Sequence, residues 1–292
     1  MTLLEAILMG IVQGLTEFLP VSSSGHLSLM QHILKINTDT GLLFDVLLHL
    51  GTLVAIVIVL WSDIKQLIVE GISILADVIY NFVCVVKNLT SEKKQPYHKI
   101  ITTPYRRFVI LILISTIPTG ILGVLLENII ETTITTVLVP GMCLILTGVL
   151  LVMADHYKGG TKTEADTSWK DAIFLGISQG IATIPGLSRS GTTITACLSR
   201  GFERSYAVRY SFIMSIPAVL GAVLLEVKDI TAETITKVEV CNYLVGMIVA
   251  AVIGYFCIKT MLVLIRGKKF TYFAVYCFIV GTVAVISNFL ST

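Results

Sequence analysis

A carboxylate, a run of serines, a histidine and an arginine stand out from an otherwise apolar chain, and they do so within two related stretches. Gly10 to His26 reads GIVQGLTEFLPVSSSGH, and Gly176 to Thr192 reads GISQGIATIPGLSRSGT. At a constant offset of 166 positions, Gly10, Ile11, Gln13, Gly14, Ser22, Ser24 and Gly25 recur as Gly176, Ile177, Gln179, Gly180, Ser188, Ser190 and Gly191. The chemistry differs between the copies. The first carries Glu17, Ser23 and His26 where the second carries Thr183, Arg189 and Thr192.

Gln13 and Glu17 are four residues apart, so on a helix they share one face and can converge on one ion or ligand. Carboxylate and amide oxygens suit Mg²⁺ or Ca²⁺, with phosphate oxygens completing the shell. A carboxylate at membrane depth is costly and marks a functional site, unless it lies at the interface and is simply hydrated. Ser22, Ser23 and Ser24 precede a new apolar run. Hydroxyls and unpaired N–H groups at a helix start make an anion cradle, and the same serines also suit plain N-capping. His26 beside them can act as a general base, protonate a leaving oxygen near neutral pH, or serve as a satisfied polar contact. In this reading Ser23 is the candidate nucleophile, and His26 takes its proton or activates water. Arg189 offers a planar fork for phosphate oxygens, flanked by the hydroxyls of Ser188, Ser190 and Thr193. Its structural alternative is an ion pair with Glu17. If the two stretches meet, they assemble the groups that phosphoryl transfer requires. Asp45 and His49, also four apart, offer a second ligand pair but read first as structural or pore-lining, and Arg200, Glu203, Arg204 and Arg209 read as a solvated helix end.

The elements that must position these groups follow from composition. Of 292 residues, 55% are hydrophobic and 14% charged, with a mean hydropathy of +0.88. That is an integral membrane protein, with a net charge of +2 too small to suggest nucleic-acid binding. The first apolar stretch contains Glu5 and Glu17 and lacks a basic leader, so it reads as part of the fold and not as a cleavable signal. The six cysteines lack metal-type spacing and read as small core residues. Six stretches have the length and apolarity of a span: Leu42 to Trp61, Phe108 to Leu126, Ile134 to Met153, Tyr206 to Leu225, Tyr243 to Ile265 and Phe270 to Phe289. The motif regions, Leu3 to Leu34 and Ala172 to Arg200, are broken centrally by Gly, Pro and Ser, so each reads as helix, loop and short helix.

Basic residues orient the whole. Lys87, Lys93, Lys94, Lys99, Arg106 and Arg107 cluster in one connection and Arg266, Lys268 and Lys269 in another, which places both in the cytoplasm. The acidic connections around Glu127 and Glu131 and from Glu226 to Asn242 fall outside. Counting spans then makes the first motif region dip in and return on the outer face and the second on the inner face. Leu67 to Val86 becomes an interfacial helix, and both termini lie outside. The chain is thus expected to be one all-α polytopic domain over 1–292: six transmembrane helices, two re-entrant helix-loop-helix elements and an inverted repeat of about 1–153 and 172–292. Such repeats place a polar site near the bilayer midplane.

QGLTEFLPVSSSGH together with PGLSRSG resembles the bacitracin-resistance type of undecaprenyl-diphosphate phosphatase, and the length, repeat and hydropathy match over essentially the whole chain. The family's (E/Q)xxxE pattern falls on Gln13 and Glu17, its serine loop and histidine on Ser22, Ser23, Ser24 and His26, and its PGxSRSG loop on Pro185 to Gly191. The resemblance implies hydrolysis of undecaprenyl diphosphate to undecaprenyl phosphate, recycling the lipid carrier for peptidoglycan synthesis in a bacterial plasma membrane. It also implies a divalent cation and a site reached from the outer face. Gln at position 13, where the family also uses Glu, leaves the site one formal negative charge poorer. A prenyl-phosphate flippase or transporter is the rival reading, since inverted repeats with broken helices are a transporter architecture. A membrane scaffold would explain neither loop. Besides the lipid substrate and membrane lipids, a homodimer is an open partner assignment.

Overall fold

The computed structural model describes residues 1–34, 41–90, 93–126, 137–229, 237–267 and 269–291. Among them the chain forms eleven α-helices: α1 (Leu3–Phe18), α2 (Ser23–Leu34), α3 (Gly41–Val59), α4 (Trp61–Thr90), α5 (Pro104–Leu125), α6 (Leu138–His156), α7 (Trp169–Ile181), α8 (Arg189–Ser199), α9 (Arg204–Asp229), α10 (Lys237–Leu264) and α11 (Phe270–Ser291). The expected acidic connection around Glu127 and Glu131 lies outside the described residues, as do residues 230–236 of the one from Glu226 to Asn242.

Among the described residues six helices are long and apolar enough to cross a membrane, and five of them, α5, α6, α9, α10 and α11, coincide with expected spans. The sixth differs. The expected span from Leu42 to Trp61 is α3, whose apolar part Leu43–Val59 is shorter, whereas the segment expected at the interface lies inside α4, whose 30 residues meet the length and apolarity of a span. Its acids and amides, Asp63, Gln66, Glu70, Asp77, Asn81 and Asn88, fall in one stripe, which a count of apolar residues does not penalise.

The repeat is visible in the way the helices begin and pack. At the start of α1 the Thr2 side chain accepts from the Glu5 N–H, and the Glu5 carboxylate accepts from the Thr2 N–H. At the start of α7, Ser168 and Asp171 form the same reciprocal box, again 166 positions on. α1 packs along α10, and α7 along α5, while α6 and α11 pack against each other. Glycine permits the two close crossings: a Cβ on Gly10 would lie 2.5 Å from the Gly246 carbonyl oxygen of α10, and one on Gly176 2.2 Å from the Ser115 carbonyl oxygen of α5. Below the crossing, Phe108, Phe202, Tyr206 and Tyr210 are fully or almost fully buried and pack ring against ring at centroid distances of 5.2 to 5.8 Å.

The charged residues from Arg200 to Arg209 are not the solvated helix end their composition suggests. Arg200 pairs with Asp171 at 2.7 Å, and Arg209 bridges Asp63 at 3.2 Å and Glu164 at 2.9 Å. Arg204 donates to the Tyr157 carbonyl at 2.6 Å. Together they tie the start of α9 and the end of α8 to α4, α7 and the loop before α7. Burial alone would push the Asp171 carboxyl up; the backbone N–H and hydroxyl of Ser168, with Arg200 and Lys162, outweigh it and hold the group down at about 2.

Candidate active site

Leu19 stands before a proline, which disfavours helical backbone at that position, and α1 ends there with Leu19 extended. The chain then passes through Ser22 at a φ of +72°, a left-handed conformation that costs a non-glycine residue about 1 kcal/mol or more. α2 begins at once, at Ser23. This sharp reversal brings the last turn of α1 against the first turn of α2, so that Ser23 donates its hydroxyl proton to the Glu17 carboxylate.

The second loop arrives from the other repeat. Gly186, at a φ of +89°, passes so close to α6 that a Cβ there would sit 2.3 Å from the Pro140 carbonyl oxygen. Thr147 of α6 clamps the loop, accepting from the Ser188 N–H at 3.0 Å and donating to the Gly186 carbonyl at 3.3 Å. The loops then touch: the Gly186 N–H donates to Ser24 Oγ at 3.3 Å, and Ser190 Oγ donates to the Leu19 carbonyl at 3.4 Å. Arg189, the first residue of α8, forms an ion pair with the Glu17 carboxylate oxygen that Ser23 leaves free.

Glu17 is therefore the centre. It is 7% exposed and receives Arg189 on one oxygen and Ser23 and Gln13 on the other, the Gln13 Nε2 at 3.1 Å. Gln13 is fully buried, and its Oε1 has no hydrogen-bond partner. An orphaned carbonyl-type oxygen next to a carboxylate is a hard-oxygen donor set that fits a divalent cation. Among the described residues no group of three or more His, Cys, Asp or Glu side chains could hold a metal, so a cation here would need ligand oxygens from substrate and water.

The remaining expected residues separate into two groups. Ser22 and Ser188 cap α2 and α8, accepting from the Gly25 N–H at 3.3 Å and the Gly191 N–H at 3.1 Å, and each faces the serine two positions on across 3.4 and 3.3 Å. Both helix N-termini, with the first-turn N–H groups the caps leave, lie at the contact between the loops. Thr193 is turned away from it: its hydroxyl donates to the Arg189 carbonyl at 2.8 Å and faces Ser211 Oγ of α9 at 2.6 Å. His26 is not on Ser23 either. Its Nδ1 lies 2.7 Å from the Ser22 carbonyl and its Nε2 2.8 Å from the Tyr276 hydroxyl, so the proton of Ser23 is held by Glu17.

Asp45 and His49 do not form a ligand pair. His49 Nδ1 donates to the Asp45 main-chain carbonyl at 2.8 Å, and the Asp45 carboxylate accepts from Gln31 at 3.2 Å. Thr147 and Tyr276 carried no signal in the sequence, being single polar residues in apolar spans.

The model of the family described as bacitracin resistance protein BacA matches residues 6–283, nearly the whole chain. The chain belongs to this family. Among curated relatives, the undecaprenyl-diphosphatase of Methanosphaera stadtmanae is 42% identical over 288 residues, covering 97% of both chains. That of Halothermothrix orenii is 39% identical over 286 residues, covering 98% of both. The one from Alkaliphilus metalliredigens is 38% identical over 290 residues, covering 99% of this chain and all of the relative. As a BacA-family member with six helices able to cross a membrane, the chain is a multi-pass, all-α membrane protein.

Proposed function

We propose that this chain hydrolyses undecaprenyl diphosphate to undecaprenyl phosphate and inorganic phosphate. The observation that carries the reading is the meeting of Ser23, Glu17 and Arg189 from two loops at one buried point; the named activity of full-length relatives supports the same substrate. The two helix N-termini and Arg189 suit a diphosphate. Ser23 Oγ attacks the terminal phosphorus as Glu17 takes its proton, and the bond to the bridging oxygen breaks with undecaprenyl phosphate leaving. Water then attacks the phosphoserine, releasing phosphate and restoring the serine proton. Arg189 and the N–H groups offset charge on the transferring phosphoryl oxygens.

Gln13 and Glu17 would hold the divalent cation, Mg²⁺ or Ca²⁺. When bound, it would supply positive charge against the diphosphate oxygens.

The orientation follows from α4. Residues 93–103 run back along this helix as irregular, mostly exposed backbone. They are held by Asn88 and Asn81, which donate to the Gln95 and His98 carbonyls at 3.1 and 2.9 Å, and by Glu70, which pairs with Arg106 at 2.9 Å. Irregular backbone exposed to lipid is not tolerated in hydrocarbon, so α4 lies on the membrane surface with its apolar side in one leaflet. The basic residues of that connection put this surface in the cytoplasm. This orientation supports the reading of two loops re-entrant from opposite faces, the first, with Glu17 and Ser23, entering from the outside.

Phosphate release from undecaprenyl diphosphate by the purified protein in detergent tests the reading. Release should stop with a chelator and return with added Mg²⁺ or Ca²⁺; movement of the lipid across vesicles without release would establish a transporter instead. A phosphorylated Ser23 peptide, trapped by acid quench, identifies the covalent step.

A further inference from the structure

His26 has both ring nitrogens engaged, and neither faces the reacting groups. A main-chain carbonyl can only accept, so the contact of 2.7 Å to the Ser22 carbonyl places the proton of neutral His26 on Nδ1. Nε2 is then the acceptor, and the Tyr276 hydroxyl donates to it at 2.8 Å. The two rings also lie nearly parallel, 7° apart at a centroid distance of 5.5 Å. His26 is 9% exposed, whereas Tyr276, on α11, is 43% exposed on the flank of the helix.

The residue that His26 grips is the one with the unfavourable backbone. Ser22 is the only non-glycine residue at positive φ among the described residues, and its carbonyl receives both the His26 N–H at 3.3 Å and the His26 ring. The direction of Ser23, the next residue, depends on that turn. In the other repeat Thr192 stands where His26 stands, and Ser188 is at an ordinary φ of −68°.

We propose that Tyr276 and His26 are positioning residues that act in series: Tyr276 fixes the tautomer and tilt of His26, His26 Nδ1–H holds the Ser22 carbonyl, and the turn so held aims Ser23 at Glu17. The inference rests on the reading of Ser23 as nucleophile. It assigns His26 no proton transfer. A hydroxyl is also the one kind of partner that satisfies Nε2 in either charge state, donating to imidazole and accepting from imidazolium, so the brace survives protonation of His26.

The test compares phosphate release, kcat and KM separately, in four variants whose folding is checked by thermal unfolding in detergent. His26→Asn keeps an N–H donor at the Nδ1 position and lacks Nε2 altogether. It should retain turnover within about tenfold of the parent, whereas His26→Ala should lose about a hundredfold in kcat with KM little changed, the usual scale for a misaimed nucleophile. Tyr276→Phe keeps the ring and removes only the hydroxyl; kcat should fall about fivefold, the scale of one neutral hydrogen bond. Nitrogen-15 spectra of the histidines should show the Nδ1–H tautomer for His26 and a mixture once the Tyr276 hydroxyl is gone. An inactive His26→Asn beside an unaltered Tyr276→Phe would overturn the brace and return His26 to proton transfer. Full turnover by Ser23→Ala would instead remove the nucleophile reading itself, whatever the other variants do.

Discussion

The loop from Leu19 to His26 and the loop from Pro185 to Thr192 are built from the same parts and do opposite things. Where the copies agree, the residues make the frame: Ser22 and Ser188 cap their helices, the paired serines face each other, and Gly10 and Gly176 let the crossing helices approach. Where they disagree, the residues meet. Ser23 and Arg189 occupy equivalent positions and end on opposite oxygens of one carboxylate, Glu17, whose own counterpart is Thr183. Thr183 merely donates to the Gly180 carbonyl of its own helix at 2.7 Å. A duplicated frame with diverged contents thus yields one asymmetric centre from two symmetric supports.

Substitution of equivalent positions should expose that asymmetry. The largest effect is expected at the carboxylate: Glu17→Ala should abolish phosphate release, a loss of about a thousandfold or more, while Thr183→Ala changes kcat less than about threefold, since one removes a charge-bearing reactant and the other one helical hydrogen bond. Arg189→Lys should follow, with kcat lowered about a hundredfold because a point charge cannot replace the planar fork. Steady-state phosphate release measures both. Next comes the metal. Gln13→Glu should lower the cation concentration for half-maximal activity about tenfold, by adding a charged ligand, whereas Gln179→Glu, with no carboxylate beside it, should leave that titration unchanged. The smallest effects belong to the caps. Ser168→Ala should cost about 1 kcal/mol of stability, and Thr2→Ala less, since Asp171 also holds Arg200 and Lys162 while Glu5 holds only its cap. With its folded carboxyl held at about 2, below the ordinary 3.8, Asp171 contributes that stability fully above about pH 4 and loses it as pH falls through about 2. Thermal unfolding against pH reads the difference.

The frame was legible because it depends on spacing. A fixed offset, a broken apolar run and a four-residue interval predict helix, loop and shared face, and Gln13, Glu17, Ser23 and Arg189 do converge. What spacing cannot convey is which way a side chain turns once neighbours compete for it. Thr193 satisfied the pattern of a phosphate ligand yet found Ser211 behind it. His26 followed the serines in sequence, but Tyr276, 250 residues away, claimed its Nε2. The arginines from Arg200 to Arg209 found acids and carbonyls on three other segments. α4 has the length and apolarity of a span, because a stripe of polar residues at intervals of seven, Asp63, Glu70 and Asp77, is diluted in an average over the whole helix. The capping boxes at Thr2 and Ser168 escaped the sequence reading, and they extend the repeat to the start of each motif helix.

The pairing of Glu17 with Arg189 also bears on how the protein lives with the membrane voltage. A lone ionised group at this depth would feel the transmembrane field, at about 2.3 kcal/mol per elementary charge for each 100 mV fully crossed. Two opposite charges in direct contact present only a short dipole, so the resting pair is almost indifferent to the potential. Any effect of the potential on turnover therefore enters with the charge that a diphosphate carries in.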